Sequence, residues 1–371
     1  MTVKYHKGKF PPASLDWKRL IPLIGPANAA LARFDGVLAA IPNALILLSP
    51  LSTQEAVLSS KIEGTQATMG VVLEYEAEGD PSLFSPEKTA DIQEIINYRS
   101  ALMGAAKRLD KLPLSQRLFR DAHACLLEGV RGHNKTPGEY RRGPNWIGRP
   151  GNQVDEARFV PIDVQDLPAG MSTWEKYIHA KELDNLVQLA VLHAEFESLH
   201  PFLDGNGRLG RMLIPLFLFQ RTILSAPVFY MSAYLEAQRD EYYDRLLAVS
   251  RDDDWTGWCI FFLNGIEQQA VENTKKAKTI IELHHREINR LGDLTRSHKS
   301  AKAVDFFFNR PIFRAADFVS QSKIPKPTAS RFLKVFRDKG VLKVVKEGTG
   351  RRSSVLAFGE LINIAEGRKI M

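Results

Sequence analysis

At 371 residues and 41.7 kDa, the chain is too long for one small core, and two or three domains are expected. Hydrophobic residues make up 44% and charged residues 25%, an ordinary globular composition that excludes disorder and low-complexity classes. The cysteines Cys125 and Cys259 fit no disulfide or metal spacing, so a reducing cytoplasm is the expected compartment. The apolar stretch 41–51 is too short to cross a bilayer and contains Pro42 and Pro50. Met1-Thr2-Val3-Lys4-Tyr5 lacks the apolar core of a secretory signal, and no membrane partner is expected.

The net charge of +7 is unevenly placed. Between Asp293 and Met371, 17 Lys/Arg stand against 7 Asp/Glu, a balance of +10, so residues 1–292 carry −3. A basic C-terminal segment points at a polyanion; a solvated basic face without a partner is the alternative.

In chain order, the proline-rich residues 4–26 read as an extended lead-in, with a helix over 27–40. Ser52-Thr53-Gln54-Glu55 has the capping-box pattern, which starts a helix over 53–63 that stops at Gly64. Apolar residues at three- and four-residue spacing predict helices over 86–109 and 115–127. Between 132 and 161, Gly138-Glu139-Tyr140-Arg141-Arg142-Gly143-Pro144-Asn145-Trp146-Ile147-Gly148 and Arg158-Phe159-Val160-Pro161 flank the turn-rich 149–156, which reads as a β-hairpin or flap. Helices are expected over 164–179, 185–199, 208–224, 232–250 and 255–289.

Between two of these helices lies His200-Pro201-Phe202-Leu203-Asp204-Gly205-Asn206-Gly207-Arg208-Leu209-Gly210-Arg211. Glycines let the backbone approach a ligand closely, and successive N–H groups at a helix start form an anion site. Arg208 and Arg211, three apart, share one helix face. A lone carboxylate such as Asp204 suits Mg²⁺, which completes its shell with phosphates and water. His200 alone here accepts a proton near neutral pH without a perturbed pKa. These are the parts for phosphoryl or nucleotidyl transfer. No Walker-type phosphate loop or dinucleotide fingerprint is present. His193-Ala194-Glu195-Phe196-Glu197 departs from the H-E-x-x-H zinc pattern, so His193 reads as packed or surface-exposed. Phe202, Leu203, Leu209 and Met212 read as core.

The loop resembles the Fic signature H-P-F-x-[D/E]-G-N-G-R-x-x-R at every fixed position. The resemblance implies a mainly α fold, with a Fic helical core, a β-hairpin flap and AMP transfer from ATP, with Mg²⁺, to a Tyr, Thr or Ser hydroxyl of a target protein. It makes His200 the base and Asp204 the Mg²⁺ ligand. Gly205, Asn206 and Gly207 would cradle phosphates, and Arg208 and Arg211 would pair with the phosphate tail, Leu209 and Gly210 completing the nucleotide-binding stretch. Relatives that transfer phosphate carry Lys in place of Gly207, which disfavours that branch.

Ser59-Ser60-Lys61-Ile62-Glu63-Gly64 resembles the family's inhibitory motif [S/T]-x-x-x-E-[G/N], and the segment through Met69 resembles the N-terminal region of class II Fic proteins. By that resemblance Glu63 pairs with Arg211 in place of the γ-phosphate, and a carboxylate there also repels ATP. The flap would pair its main chain with a target segment. Tyr242 and Tyr243 fall where relatives contact adenosine; Tyr243 is the preferred candidate, with core packing its rival.

From about 295, helices over 301–308, 314–321 and 326–339 precede strands over 341–346 and 354–358, an order similar to a winged helix-turn-helix. Lys326–Lys339 would be the recognition helix, and Arg351 and Arg352 the wing tip. DNA contact and a protein-docking or structural role both remain open. The expected domains are thus an N-terminal helical region with the inhibitory helix (1–110), the catalytic core (111–290) and the winged helix (295–371). A homodimer follows from the resemblance. Two further readings stand beside transfer: a DNA-binding regulator whose core only binds nucleotide, and an enzyme that removes AMP.

Overall fold

The computed structural model describes residues 2–41, 44–148, 154–350 and 352–371. Residues 149–153 of the expected flap turn and Arg351 of the expected wing tip lie outside the described residues.

The chain opens with β1 (Val3–Lys4) and then α1 (Trp17–Ala39). The proline-rich stretch is therefore not extended to residue 26: Asp16 caps α1 through the Arg19 N–H, and Pro22 and Pro26 lie inside the helix. Each proline removes one helical donor, but Leu20, Ala27, Ala30, Leu31 and Phe34 bury a continuous stripe, and that burial outweighs the loss.

After α2 (Ala44–Leu47) comes α3 (Ser49–Ile62). The expected capping box at Ser52 is not used. The helix starts at Ser49 with Pro50 in its first turn, where a missing N–H is harmless, and no side chain caps it. Glu55 points instead into the core, where its carboxylate accepts the Ser232 N–H at 3.0 Å and the Ser232 hydroxyl at 2.6 Å. The C-terminal stop does occur at Gly64, whose φ of +102° suits glycine, with Thr65 N–H closing back on Ser60 O at 3.2 Å.

Next come α4 (Met69–Glu78), α5 (Pro86–Arg108) and α6 (Gln116–Leu126), capped by Thr68, Ser85 and Ser115. Strand β2 (Phe159–Val160) precedes α7 (Leu167–His179), α8 (Asn185–Leu199) and α9 (Asn206–Gln220). The single helix expected over 232–250 is two, α10 (Ser232–Ala237) and α11 (Arg239–Asp252), because Gln238 leaves the helical region at φ −117°. The next helix, α12, runs well past residue 289, over Trp255–Thr295.

The flap is less of a hairpin than its sequence suggests. Phe159 makes an antiparallel bridge with Ile147, exchanging hydrogen bonds of 2.9 and 3.1 Å. Its other neighbour is β1, which runs parallel with Val3 beside Phe159 and Lys4 beside Val160. The N-terminal strand is itself tied down. The Tyr5 hydroxyl donates to Glu195 Oε1 at 2.7 Å, and His6 contacts Glu195 Oε2 at 2.9 Å and Ser250 Oγ at 2.7 Å.

The C-terminal elements are α13 (Ser300–Asn309), β3 (Ile312–Arg314), α14 (Ala315–Gln321), α15 (Lys326–Asp338), β4 (Lys343–Lys346), β5 (Val355–Ala357) and α16 (Gly359–Glu366). The strands form an antiparallel sheet in the order β3-β5-β4. Strand β3 leans on α4, α13 on α12, and α16 on α3 and α12. Ion pairs of 2.9 Å join Lys346 to Glu78 and Arg352 to Asp80. Among the described residues, no helix is long and apolar enough to cross a membrane.

Because Glu195 is buried, loss of the Tyr5 hydroxyl leaves a carboxylate oxygen short of a donor. Tyr5→Phe is expected to lower stability in urea unfolding by about 1.5–3 kcal/mol, the range for a hydrogen bond to a charged group.

Candidate functional site

Helix α8 is apolar on nearly every face and ends at His200, which takes a left-handed conformation at φ 46° and ψ 59°. Such a backbone is costly for a residue with a β-carbon and has to be imposed by its surroundings. Arg141 supplies much of the constraint: its Nε donates to His200 O at 3.0 Å, its main-chain N–H donates to Pro201 O at 2.9 Å, and its guanidinium also reaches Ile162 O. The loop then closes on itself. Asn206 Oδ1 accepts the Phe202 N–H at 2.9 Å, and its Nδ2 donates to Phe202 O at 2.8 Å. Gly205, at φ +78°, starts α9.

His123 supports the loop from α6. Its Nδ1 accepts the Gly138 N–H at 2.8 Å, so Nε2 carries the proton and donates to Asp204 O at 3.0 Å. The ring stacks on Phe202 at 3.8 Å. Burial pushes its pKa down to about 4, which keeps it neutral and this hydrogen-bond pattern intact.

His200 faces a cleft of about 1030 Å³, lined also by Glu63, Gly207, Arg211, Tyr242 and Tyr243, and covered by Ile147, Arg158 and Phe159 of the flap. Its Nδ1 lies 3.4 Å from Glu197 O; a nitrogen facing a carbonyl bears the proton, leaving Nε2 as the acceptor. Burial lowers the His200 pKa to about 4, against the opposing pull of Glu63 and Asp204.

Arg211 is buried and bonded through two of its three nitrogens. Its Nε donates to Ser59 Oγ at 2.8 Å, and its Nη2 donates to Ser59 O at 2.8 Å and to Glu63 Oε1 at 2.6 Å. Burial acts to raise the Glu63 pKa, but Arg211, aided by Arg208 and His200, outweighs it and holds the carboxyl below its ordinary value. Gly207 makes the approach possible: a β-carbon there would lie 2.3 Å from Glu63 Oε1.

Arg208 does not join Arg211. It is buried away from the cleft, with Nη1 on Glu94 Oε2 at 3.1 Å and Nη2 on Asp204 Oδ1 at 3.3 Å, and its Nε has no partner among the described residues. Two arginines three apart do point to one side, but a carboxylate from α5 has drawn the first inward. Leu209 is core, and Gly210 packs against Glu197. Tyr242 is buried with its hydroxyl on His193 Nε2 at 2.9 Å, whereas Tyr243 lies between Arg158 and Arg239 at 5.8 and 5.9 Å. His193 is fixed between that hydroxyl and Gly210 O at 3.0 Å. Asp204 is half-buried; its Oδ2 accepts no hydrogen bond among the described residues, and Gly132 leaves space beside it, since a β-carbon there would come within 3.0 Å.

Glu94, His123, Arg141 and Glu197 are site residues that sequence reasoning did not reach. Each comes from a helix or turn whose local pattern carries no sign of its partner.

A helical protein with a glycine-flanked helix start and a carboxylate held on an arginine of that helix is thus defined by fold and site. The comparisons supply the family. The sequence model described as Fic/DOC family N-terminal matches residues 21–107, and that described as Fic/DOC family matches 113–218. The chain is a Fic/DOC family protein with the family's N-terminal region. It is 29% identical over 96 residues to an Aquifex aeolicus protein named "Probable protein adenylyltransferase", over 26% of this chain and 30% of that one. It is 29% identical over 147 residues to Protein adenylyltransferase Fic of Drosophila yakuba, over 39% of this chain and 25% of that one. The match thus spans less than a third of either relative's length. A crystal structure of a Fic family protein from Desulfovibrio desulfuricans superposes with a TM-score of 0.59, covering 94% of this chain and 98% of that one. At 19% identity this likeness is one of fold.

Among the described residues, Arg208→Leu leaves the buried Glu94 with Arg131, 3.4 Å away, as its remaining cation partner. The expected outcome is a loss of about 3 kcal/mol in denaturant unfolding, the lower end for a broken buried pair.

Proposed function

We propose that the chain is a protein adenylyltransferase that moves AMP from ATP to a hydroxyl side chain of another protein and is held at rest by Glu63. The observation that carries this reading is the meeting of His200, Gly207 and Arg211 in one cleft with Glu63 bound to Arg211. Residues 1–110 would carry the brake, 111–290 the chemistry and 295–371 a winged helix.

In this reading the target hydroxyl oxygen attacks the α-phosphorus, the bond to the β-phosphate bridging oxygen breaks, and pyrophosphate leaves. His200 Nε2 takes the hydroxyl proton; its neutral state is maintained by burial. The N–H groups of Gly205, Asn206 and Gly207 at the start of α9 face the phosphates. Arg211 holds the tail once Glu63 has left it. Asp204, with one oxygen open and space beside it, suits a cation that needs only one or two carboxylates. Mg²⁺ held there would offset charge on the phosphates. Tyr243 offers a ring face to the adenine.

A second reading for the C-terminal segment is supported by its exposed cations. On α15, Ala329, Phe332, Leu333 and Phe336 are buried while Lys326, Ser330, Lys334 and Arg337 are exposed. A helix with one apolar and one basic face, followed by an antiparallel β4–β5 pair, suits contact with duplex DNA. Lys334→Glu with Arg337→Glu is expected to weaken retention of a duplex at low salt at least tenfold; unchanged retention would favour a docking or structural role.

With labelled ATP and Mg²⁺, Glu63→Gly is expected to raise labelling of self or target by roughly 10- to 150-fold, the equivalent of about 1.5–3 kcal/mol of charge-assisted hydrogen bonding. Adding His200→Ala should remove at least about 100-fold of that activity. A His pKa lowered by burial keeps the base neutral to lower pH, so the acid limb in Glu63→Gly should lie near pH 4 rather than near 6.5. Absence of labelling in every form would sink the transfer reading.

A further inference from the structure

A second carboxylate in the cleft has no part in the steps above. Glu197 stands one turn before His200 on α8 and holds that imidazole through its main-chain carbonyl. Its side chain turns the other way, onto the backbone of α9, where a β-carbon on Gly210 would lie 2.2 Å from Glu197 Oε1. The glycine therefore leaves room for this carboxyl group against the helix. Oε1 is buried and accepts no hydrogen bond among the described residues. The nitrogen within ion-pair reach is His193 Nε2, at 4.0 Å, and that nitrogen accepts the Tyr242 hydroxyl and bears no proton.

Charged and titratable groups face Glu197 from every neighbouring element. They are Arg211 on α9, Glu63 at the end of α3, His193 and His200 on α8 itself, Tyr242 and Tyr243 on α11, and Glu156 and Arg158 from the flap across the cleft. An ionised carboxylate with a buried, donorless oxygen is strongly disfavoured, whereas the neutral acid is not. Burial raises the Glu197 pKa, Arg211 opposes this, Glu63 reinforces it, and the result is about 7. Two carboxyl groups thus flank one arginine, and their environments push them apart: Glu63 ionised, Glu197 poised to hold a proton.

We propose that Glu197 belongs to the phosphate site as a neutral acid, and that nucleotide binding draws a proton onto it. The proposal rests on the cleft being the ATP site. A triphosphate tail brought to Arg211 places several negative charges beside this carboxyl group. An ionised Glu197 in this position would repel them, so the tail selects the protonated form and by linkage raises its pKa further. The acid form also offers an O–H donor to a phosphate oxygen. At rest the Glu63 carboxylate already plays the part of that anion, being one of the groups that raise the Glu197 pKa.

The test is calorimetry of a non-hydrolysable ATP analogue with Mg²⁺ binding to Glu63→Gly, in two buffers of different ionisation enthalpy. At pH 7.5, binding is expected to take up roughly three-quarters of a proton or more, the ionised fraction of a group with pKa about 7 or slightly lower. Uptake should grow between pH 6 and pH 8, and affinity should fall about tenfold per pH unit above 8. In Glu63→Gly with Glu197→Gln, binding at pH 7.5 should persist, uptake should vanish and affinity should become flat with pH. Equal uptake in both chains, or uptake that does not grow with pH while Glu197 is present, overturns the proposal; the latter needs no substitution at 197. No binding of nucleotide to Glu63→Gly at any pH overturns the ATP reading of the cleft instead.

Discussion

A buried guanidinium must find acceptors, and the three that Arg211 meets among the described residues lie on one helix end. Ser59 supplies a hydroxyl and a carbonyl, and Glu63 a carboxylate. The surrounding structure serves that contact. Glu55, two turns before Glu63, pins α3 to Ser232 at the start of α10, and Gly64 ends the helix so that Glu63 projects at its last turn. On the other side, Gly207 removes the one side chain that would keep α9 and Glu63 apart. The contact is a short, charge-assisted one, and the Glu63 side chain remains partly exposed.

Burial sets the protonation states around this contact. His123, His193 and His200 all have pKa values lowered by burial, to about 4, 3 and 4. Each is therefore a neutral ring whose hydrogen-bond partner selects its tautomer. For His123 and His193 both nitrogens are engaged, and they act as props. For His200 one nitrogen remains open to the cleft. The same residue type in nearly the same dielectric thus takes two roles, and the difference is one unfilled bond.

The helical character of the chain and the loop 200–211 were legible because their information is local. Helical spacing of apolar residues marked α5, α6 and α8 to within a residue or two, and residues 200–211 carry their chemistry in consecutive positions. The meeting of Glu63 with Arg211 was legible only through resemblance, since 148 residues separate them. Local rules failed where distant partners overrode them. The Ser52–Glu55 capping pattern lost its acid to Ser232, the prolines of α1 were carried by a buried stripe, and Arg208 was turned inward by Glu94 from α5. Strand β1 had no readable partner, because its two residues pair with a segment more than 150 positions away. Arg141 and His123 stayed hidden for the same reason.

Helix α12 joins the two ends of the molecule. Over its 41 residues it extends about 60 Å. Its first turns place Trp258 against His193 and Tyr242, at the back of the cleft, while its later turns carry α13 and α16 of the C-terminal segment. The basic segment and the cleft are thus packed against one continuous helix, with no loop between the two sets of contacts.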